Sequence, residues 1–548
     1  MLTHAIISFT YICRTCVEKE KPCMDNQEYF NIAGPCIPSV HYMVDTNKKI
    51  DHIVTEYVDA GEYFIINRAR QYGKTTTLEL LYKRLLGTCI VFKLSFEGKD
   101  EYFASLEILA DGLRDDFHTM LLEQHAALAY LFEEKIDERF PLKDLGRRTT
   151  QLCQGAGRPV VLIIDEVDKA CDNQLFLTFL GWLRDQYITK NTQRNSQFTF
   201  QSVILAGVHD IKNLRMKIRP EEKHRYNSPW NIATRFDVDM SFSALEIATM
   251  LKEYEAQHQK KMDIAKVSTR LYYYTSGYPF LVSLLCKSID EDGLSWTGEG
   301  VDEAQKRILK TTNTLFDDVI KNLVNYPSFG AMVKGILLDG EHVPFEIRDP
   351  DIDLGLMFGI LKDNDGKACV SNIMFETLIL NYYISTSKAR SRINQYVSQS
   401  STRFLEEGKL DMALVLQRFA AFLKSEYRDE DGSFIEREGR LLFLSFLKPI
   451  INGMGHYVVE PETRGSRRMD VVVFYGLQKY IVELKIWHGE RAASDAYDQL
   501  VGYLQGQEQK VGYLLSFCEN RKGPREGRVF EHKGCTITEV IIAYRDRI

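Results

Sequence analysis

Three observations predict a multidomain α/β protein. Between about residues 31 and 242 short apolar runs alternate with amphipathic runs, the pattern of a doubly wound parallel sheet. From 243 to 385 the apolar spacing becomes mainly helical, broken by one hairpin-like turn. From 433 to 548 strands and helices alternate again, over an ordinary domain length. The expected segments are therefore an N-terminal extension (1–30), a parallel-sheet domain (31–242), a helical region with a hairpin (243–385), a helical linker (386–432) and a second α/β domain (433–548).

Each element has its own signal. Residues 61–86 read as a strand, a tight loop and an amphipathic helix, and 88–98 as a second strand. A long helical stretch is expected over about 101–153. Residues 158–170 form a continuous apolar run ending in carboxylates, as a central parallel strand buried on both faces should, and 198–210 repeat the pattern. Residues 243–257 start the helical region, and 275–289 read as a turn followed by a buried helix. Asp363-Asn364-Asp365-Gly366 fits a turn between two short strands, so helices plus a hairpin suggest a winged helix. A polar stretch, 385–402, marks the linker. In the last domain we expect a helix over 436–455, two strands within 467–487, a further helix, and strands at 510–517 and 536–544.

Composition narrows the function classes. The 548 residues are 45% hydrophobic and 26% charged, which excludes a disordered or fibrous chain. No run approaches the roughly 18 apolar residues that span a bilayer, so no membrane role is expected. The net charge of −7 argues against a charge-driven nucleic-acid coat but leaves room for a local basic groove. Eleven scattered cysteines read as reduced thiols in a cytoplasm. Residues 2–13 are weakly apolar but lack the flanks of a signal peptide. Cys13, Cys16 and Cys23 lack a clear fourth metal ligand, so the stretch ahead of Met24 is expected to be an unstructured extension.

The first chemical constellation lies at the end of the first strand. Arg68-Ala69-Arg70-Gln71-Tyr72-Gly73-Lys74-Thr75 matches a phosphate-binding loop except at its first position, where arginine replaces glycine. Gly73 lets backbone approach phosphate oxygens, Lys74 supplies positive charge and Thr75 a hydroxyl for Mg²⁺. Arg70, Gln71, Tyr72 and Thr76 complete the loop, whose amides open a helix and so face an anion. Asp165, ending the apolar run 160–164, can hold Mg²⁺ through water, and Glu166 can polarise the attacking water. Arg235, beside a strand expected at the end of this domain, is a candidate arginine finger, in cis or from a neighbouring subunit, or else a surface arginine paired with Asp237 or Asp239. His209 and Asp210 follow a core strand, where a γ-phosphate sensor could lie.

These residues, with 228–242 and 276–286, resemble the bacterial AAA-like ATPases related to the STAND class of P-loop NTPases, over roughly residues 30–290. The resemblance implies ATP and Mg²⁺ binding, a helical lid and a following winged helix. It also implies phosphate and metal roles for Lys74 and Thr75, and metal and water roles for Asp165 and Glu166.

The second constellation lies in the last domain. If the hairpin in 467–487 turns between Gly476 and Leu477, Asp470 falls opposite Glu483. Two carboxylates so close repel unless a divalent cation neutralises them; oxygen ligands suit Mg²⁺ or Mn²⁺. Lys485 shares the face of Glu483 and could deprotonate a water or offset transition-state charge. Glu438 could supply a third carboxylate, Gln499 and Tyr503 share a helix face, and Arg467 and Arg468 suit phosphate contacts.

This set resembles the PD-(D/E)XK nuclease superfamily in its RecB-like form, with Met469 standing where the motif's proline would be. The whole then reads as a P-loop NTPase sheet with helical lid and winged helix, followed by a PD-(D/E)XK-type α/β nuclease domain. The expected function is ATP-gated, Mg²⁺-dependent cleavage of nucleic acid, DNA rather than RNA, in a chain able to form a homo-oligomer. By family likeness such pairings belong to defence or mobile-element systems. The last domain is close to charge balance, with 17 Lys/Arg against 16 Asp/Glu over 431–548, which favours regulated over indiscriminate cutting. The alternative is a nucleotide-dependent switch or scaffold whose nuclease-fold module binds nucleic acid without cutting it.

Overall fold

The computed structural model describes residues 28–170, 173–192, 198–208, 230–339, 343–386, 404–406, 409–426, 432–451, 455–460, 469–475, 478–486, 490–506, 509–518 and 527–543. The cysteines at 13, 16 and 23, His209, Asp210, Arg467 and Arg468 lie outside these residues. Within them, no helix is long and apolar enough to cross a membrane.

Helix α1 (Asn47–Ile53) and a π-turn (Val54–Val58) lead into β1 (Tyr63–Asn67). Then follow α2 (Lys74–Leu85), β2 (Ile90–Ser95), α3 (Leu106–Gln124), α4 (Pro141–Gly155), β3 (Val160–Asp165), α5 (Gln174–Thr192) and β4 (Ser202–Gly207). The four strands are parallel in the order β1-β4-β3-β2. Every residue of β3 and β4 is buried, because helices cover both faces and leave no polar side to alternate with. Phe64, Ile163 and Ile204 pack with Leu78 and Leu81 of α2 on one face. Tyr63, Leu162 and Leu205 pack with residues of α3, α4 and α5 on the other.

Two expectations needed correction. The helical stretch over 101–153 is broken into 3₁₀ turns at Asp100–Ala104 and Ala126–Phe132 and the helices α3 and α4. His125, at φ −160°, leaves the helical region, and Pro141 opens α4 at its first position, where a missing N–H costs nothing. The strand expected near Arg235 is a single parallel bridge between Phe64 and Thr234.

The helical region comprises α6 (Ala244–His258), α7 (Ile264–Thr275), α8 (Pro279–Glu291), α9 (Gly298–Ile308), α10 (Thr314–Asn325), α11 (Pro327–Lys334) and α12 (Pro350–Met357). A reciprocal capping box between Ser243 and Glu246 starts α6. Between α7 and α8, Ser276 and Gly277 take positive φ (46° and 75°), and a Cβ on Gly277 would lie 2.0 Å from Phe242 O. Only glycine fits there. Strands β5 (Leu361–Asn364) and β6 (Lys367–Val370) pair around Asp365 and Gly366, both at positive φ as a two-residue hairpin turn requires. Pro344 bridges to Lys367 beside them, and α13 (Ile373–Thr386) follows.

A small ribbon, β7 (Leu405–Glu406) and β8 (Lys409–Leu410), precedes α14 (Met412–Glu426) and α15 (Gly432–Ile451). The last sheet contains β9 (Gly455–Glu460), β10 (Met469–Tyr475), β11 (Gln478–Ile486), β12 (Val511–Cys518), β13 (Arg528–His532) and β14 (Cys535–Ala543). Helix α16 (Glu490–Gly506) lies between β11 and β12 in the chain. The order is β13-β14-β12-β11-β10-β9, parallel only where β12 pairs with β11 and β14. Leu500, Val501 and Leu504 of α16 pack on Ile481, Leu514 and Ile537 from one face. On the other, Val471, Val473, Phe517 and Val540 join one continuous apolar cluster with α14 and α15. That cluster runs on through Met374 and Ile379 of α13 to Leu281 and Tyr254, and to Phe30 near the start of the described chain.

Candidate functional site

The loop between β1 and α2 is built around left-handed backbone. Gly73 caps α2 at φ +79°, and Gln71 also takes positive φ (58°). Thr77 N is the first amide of α2 to reach a helical acceptor, Gly73 O, at 2.9 Å. The amides of the preceding turn point out of the helix end with its partial positive charge. Lys74 is 7% exposed, and its Nζ donates to Arg68 O and Ala69 O, both at 3.0 Å. Burial pulls the Lys74 ammonium below its ordinary range, and Asp168, Glu166 and Asp165 pull it back up.

Strand β3 delivers the acidic half. Thr75 Oγ1 donates to Asp165 Oδ2 at 2.8 Å, and Asp165 Oδ1 accepts the amide of Glu166 at 2.9 Å. Glu166 takes φ +53°, the left-handed region that a side chain occupies only under constraint. Burial, then the neighbouring Asp165, raises its carboxyl above the ordinary glutamate range. Lys74, Thr75, Asp165 and Glu166 thus meet at one sheet edge. A hydroxyl and a carboxylate in contact beside a buried ammonium fit a hydrated divalent cation with phosphate oxygens.

The other loop residues are placed less uniformly. The Arg70 guanidinium pairs with Asp318 (3.2 Å) and Gln71 Nε2 donates to Thr314 Oγ1 (3.0 Å), so both side chains reach α10. Tyr72 stacks edge-on against Tyr278 at 4.6 Å, and burial raises its hydroxyl to about 12. Thr76 Oγ1 accepts the amide of Cys36 (3.0 Å). Arg68, in the place of the first glycine, turns its side chain out of the loop. Its Nη1 and Nη2 donate to Asn67 O and Val238 O at 2.9 Å, and the guanidinium lies 5.4 Å from the Phe236 ring centre. Arg235 is exposed and its Nε pairs with Asp237 at 2.5 Å.

Beside the loop is a largely apolar cavity of about 360 Å³, of a size that suits a small organic ligand. Ile32, Val44, Ile53, Leu80 and Met240 line it, next to Gly73 and Thr76. No site role was expected for residues 31–50, because a wall assembled from segments some 200 positions apart leaves no local pattern.

In the last sheet the register pairs Asp470 with Glu483, and Asp470 with Glu460 on its other side. Glu483 pairs with Leu514, and Leu514 with Glu539, so one row crosses β9, β10, β11, β12 and β14. Glu460 is a third acidic position in that row, missed because β9 was not read as a strand. Glu483 is 1% exposed. Lys485 is half-buried two positions on, Gln499 is exposed on α16, and Tyr503 is half-buried against the cluster beneath that helix. The side chains of Glu438, Glu460 and Asp470 lie outside the described ones. Among the described residues no group of three or more His, Cys, Asp and Glu forms a metal site. Two acidic positions opposed across the β10–β11 register offer oxygen ligands of the kind a divalent cation takes. Further along the row Glu539 is buried as well, with Oε1 accepting from Ser516 Oγ (2.8 Å) and Oε2 from Tyr497 OH (3.0 Å).

No protein-family model and no curated protein matches this chain. Among solved structures it is similar to a Walker-type ATPase of Pyrococcus abyssi, at 12% identity and a TM-score of 0.41, over 64% of this chain and 99% of that one. It is also similar to the ORC1 protein of Aeropyrum pernix in complex with DNA, at 13% identity and a TM-score of 0.29, over 62% of this chain and 93% of that one. The ORC2 protein of the same organism gives 11% identity and a TM-score of 0.31, over 64% and 96%. Likeness at this level assigns the chain to no family.

Proposed function

We propose that this protein binds and hydrolyses ATP and that its nucleotide state gates a Mg²⁺-dependent phosphodiesterase acting on nucleic acid, DNA rather than RNA. The observation that carries the first half is the meeting of Lys74 and Thr75 with Asp165 and Glu166, Thr75 and Asp165 being 2.8 Å apart. Lys74 and the open amides of α2 bind the phosphates, and the apolar cavity takes the base. Thr75 and Asp165 would hold Mg²⁺, which supplies charge neutralisation at the phosphates. Glu166 orients a water and takes its proton, a task suited to a carboxylate of raised proton affinity. Arg235, released from Asp237, is available as a finger toward a neighbouring subunit.

The register of Asp470 against Glu483 supports the second half. These two, with Glu438, would hold the second cation, Lys485 would serve the attacking water, and Gln499 and Tyr503 would steady the nucleic-acid backbone. A winged helix built from α11, α12 and the β5–β6 hairpin would join the two centres. Its α12 begins Pro350-Asp351-Ile352-Asp353 after an Asp349 cap, an acidic start that disfavours contact with a DNA backbone.

One experiment tests both centres. Wild type, Lys74→Ala and Glu483→Ala are incubated with DNA or RNA and Mg²⁺ or Mn²⁺, with and without ATP. Cleavage by wild type alone, strongest in one nucleotide state, is expected. The burial of Glu483 favours a second reading, a nucleotide switch whose last domain binds nucleic acid without cutting it. Retained binding with no cleavage under any metal would establish that reading instead.

A further inference from the structure

The turn between α7 and α8 places one side chain between the phosphate loop and the rest of the chain. Tyr278 is 2% exposed, and its hydroxyl donates to Arg70 O at 2.6 Å. Its ring packs edge-on against Tyr72 of the loop (4.6 Å) and Phe375 of α13 (5.4 Å). The packing is close on the side of Gly359. A Cβ added to Gly359 would lie 2.8 Å from Ala69 Cβ and 3.4 Å from Tyr278 Cε2.

Helix α13 continues the connection. Phe375 stands near its start, and Asn381, six residues on, accepts from Lys448 Nζ of α15 (3.1 Å) and Tyr457 OH of β9 (3.2 Å). Arg440 of α15 adds a bond to Leu337 O at 2.5 Å.

We infer that Tyr278 is a positioning residue that couples the shape of the phosphate loop to α13, and through Asn381 to α15 and β9. The inference rests on the nucleotide-binding reading above. A phosphate that draws Lys74 Nζ loosens its hold on Arg68 O and Ala69 O, and the next carbonyl, Arg70 O, shifts with the loop. A buried hydroxyl left without an acceptor is costly, so the Tyr278 ring follows Arg70 and displaces Phe375. A rigid helix passes the displacement to its far half.

The test is hydrogen exchange on the full chain, with and without ADP and Mg²⁺, read in peptides covering 373–386 and 440–460. Nucleotide occupancy is measured separately by equilibrium dialysis. In wild type, bound nucleotide should change exchange in both segments by about fivefold or more. Tyr278→Phe, which keeps the ring, and Phe375→Leu, which keeps the burial, should bind nucleotide about as well and shrink that change to less than about twofold. An unaltered nucleotide-dependent change in both variants overturns the inference, as does nucleotide-loaded wild type with no change in either segment. Wild type that retains no nucleotide in dialysis overturns the underlying reading and the inference with it.

Discussion

At the residue scale, two carboxyls of raised proton affinity make separate predictions. Glu166 is the water-activating base in the proposed hydrolysis, so Glu166→Gln should leave nucleotide binding intact and lower turnover by about 10²–10⁴-fold. Burial and Asp165 raise its proton affinity, and the base works only when ionised. Turnover should therefore fall on the acid side as this carboxyl takes up a proton, and Glu166→Gln should lose that limb; an unchanged limb in the variant would remove Glu166 from the role. Glu376 on α13 bears on stability. Burial lifts its carboxyl to about 8, against opposing pulls from Lys362 and Arg440. A raised folded-state value means that its contribution is full below the ordinary carboxyl range and is lost as pH rises toward about 8. Glu376→Gln should flatten the fall in melting temperature between pH 5 and 8 and leave the value at pH 5 nearly unchanged.

At the scale of elements, the turn before α8 is tightly constrained. Gly277→Ala would put a methyl 2.0 Å from Phe242 O on backbone at φ +75°. It should cost roughly 2–5 kcal/mol, visible as a lower urea midpoint. What could be read from the sequence also divides by element. Strands β3 and β4 were legible because continuous apolar runs have few other uses. The pairing of Asp470 with Glu483 followed from one turn position, since antiparallel register fixes every later partner. Strand β9 and its Glu460 were not legible, because a short edge strand carries little pattern of its own. The contacts of Arg70 and Gln71 with α10 were hidden for another reason. They join residues nearly 250 positions apart, and only tertiary packing sets such pairs.

At the scale of the whole molecule, the proposed gating links two centres in one chain. Lys74→Ala should abolish both ATP turnover and nucleic-acid cleavage, whereas Glu483→Ala should stop cleavage and leave ATP turnover nearly unchanged. Paired kinetic assays on the same preparations decide this, and cleavage indifferent to Lys74 would mean that the centres work independently. The apolar cluster that runs from Phe30 through Met374 to Phe446 and Val471 sets a further condition. A polypeptide starting at residue 433 would remove α13 and α14 from that cluster, baring a greasy flank that invites precipitation. The C-terminal sheet is thus no detachable cassette: a fusion partner or a gene rearrangement that takes it alone inherits an insoluble fragment.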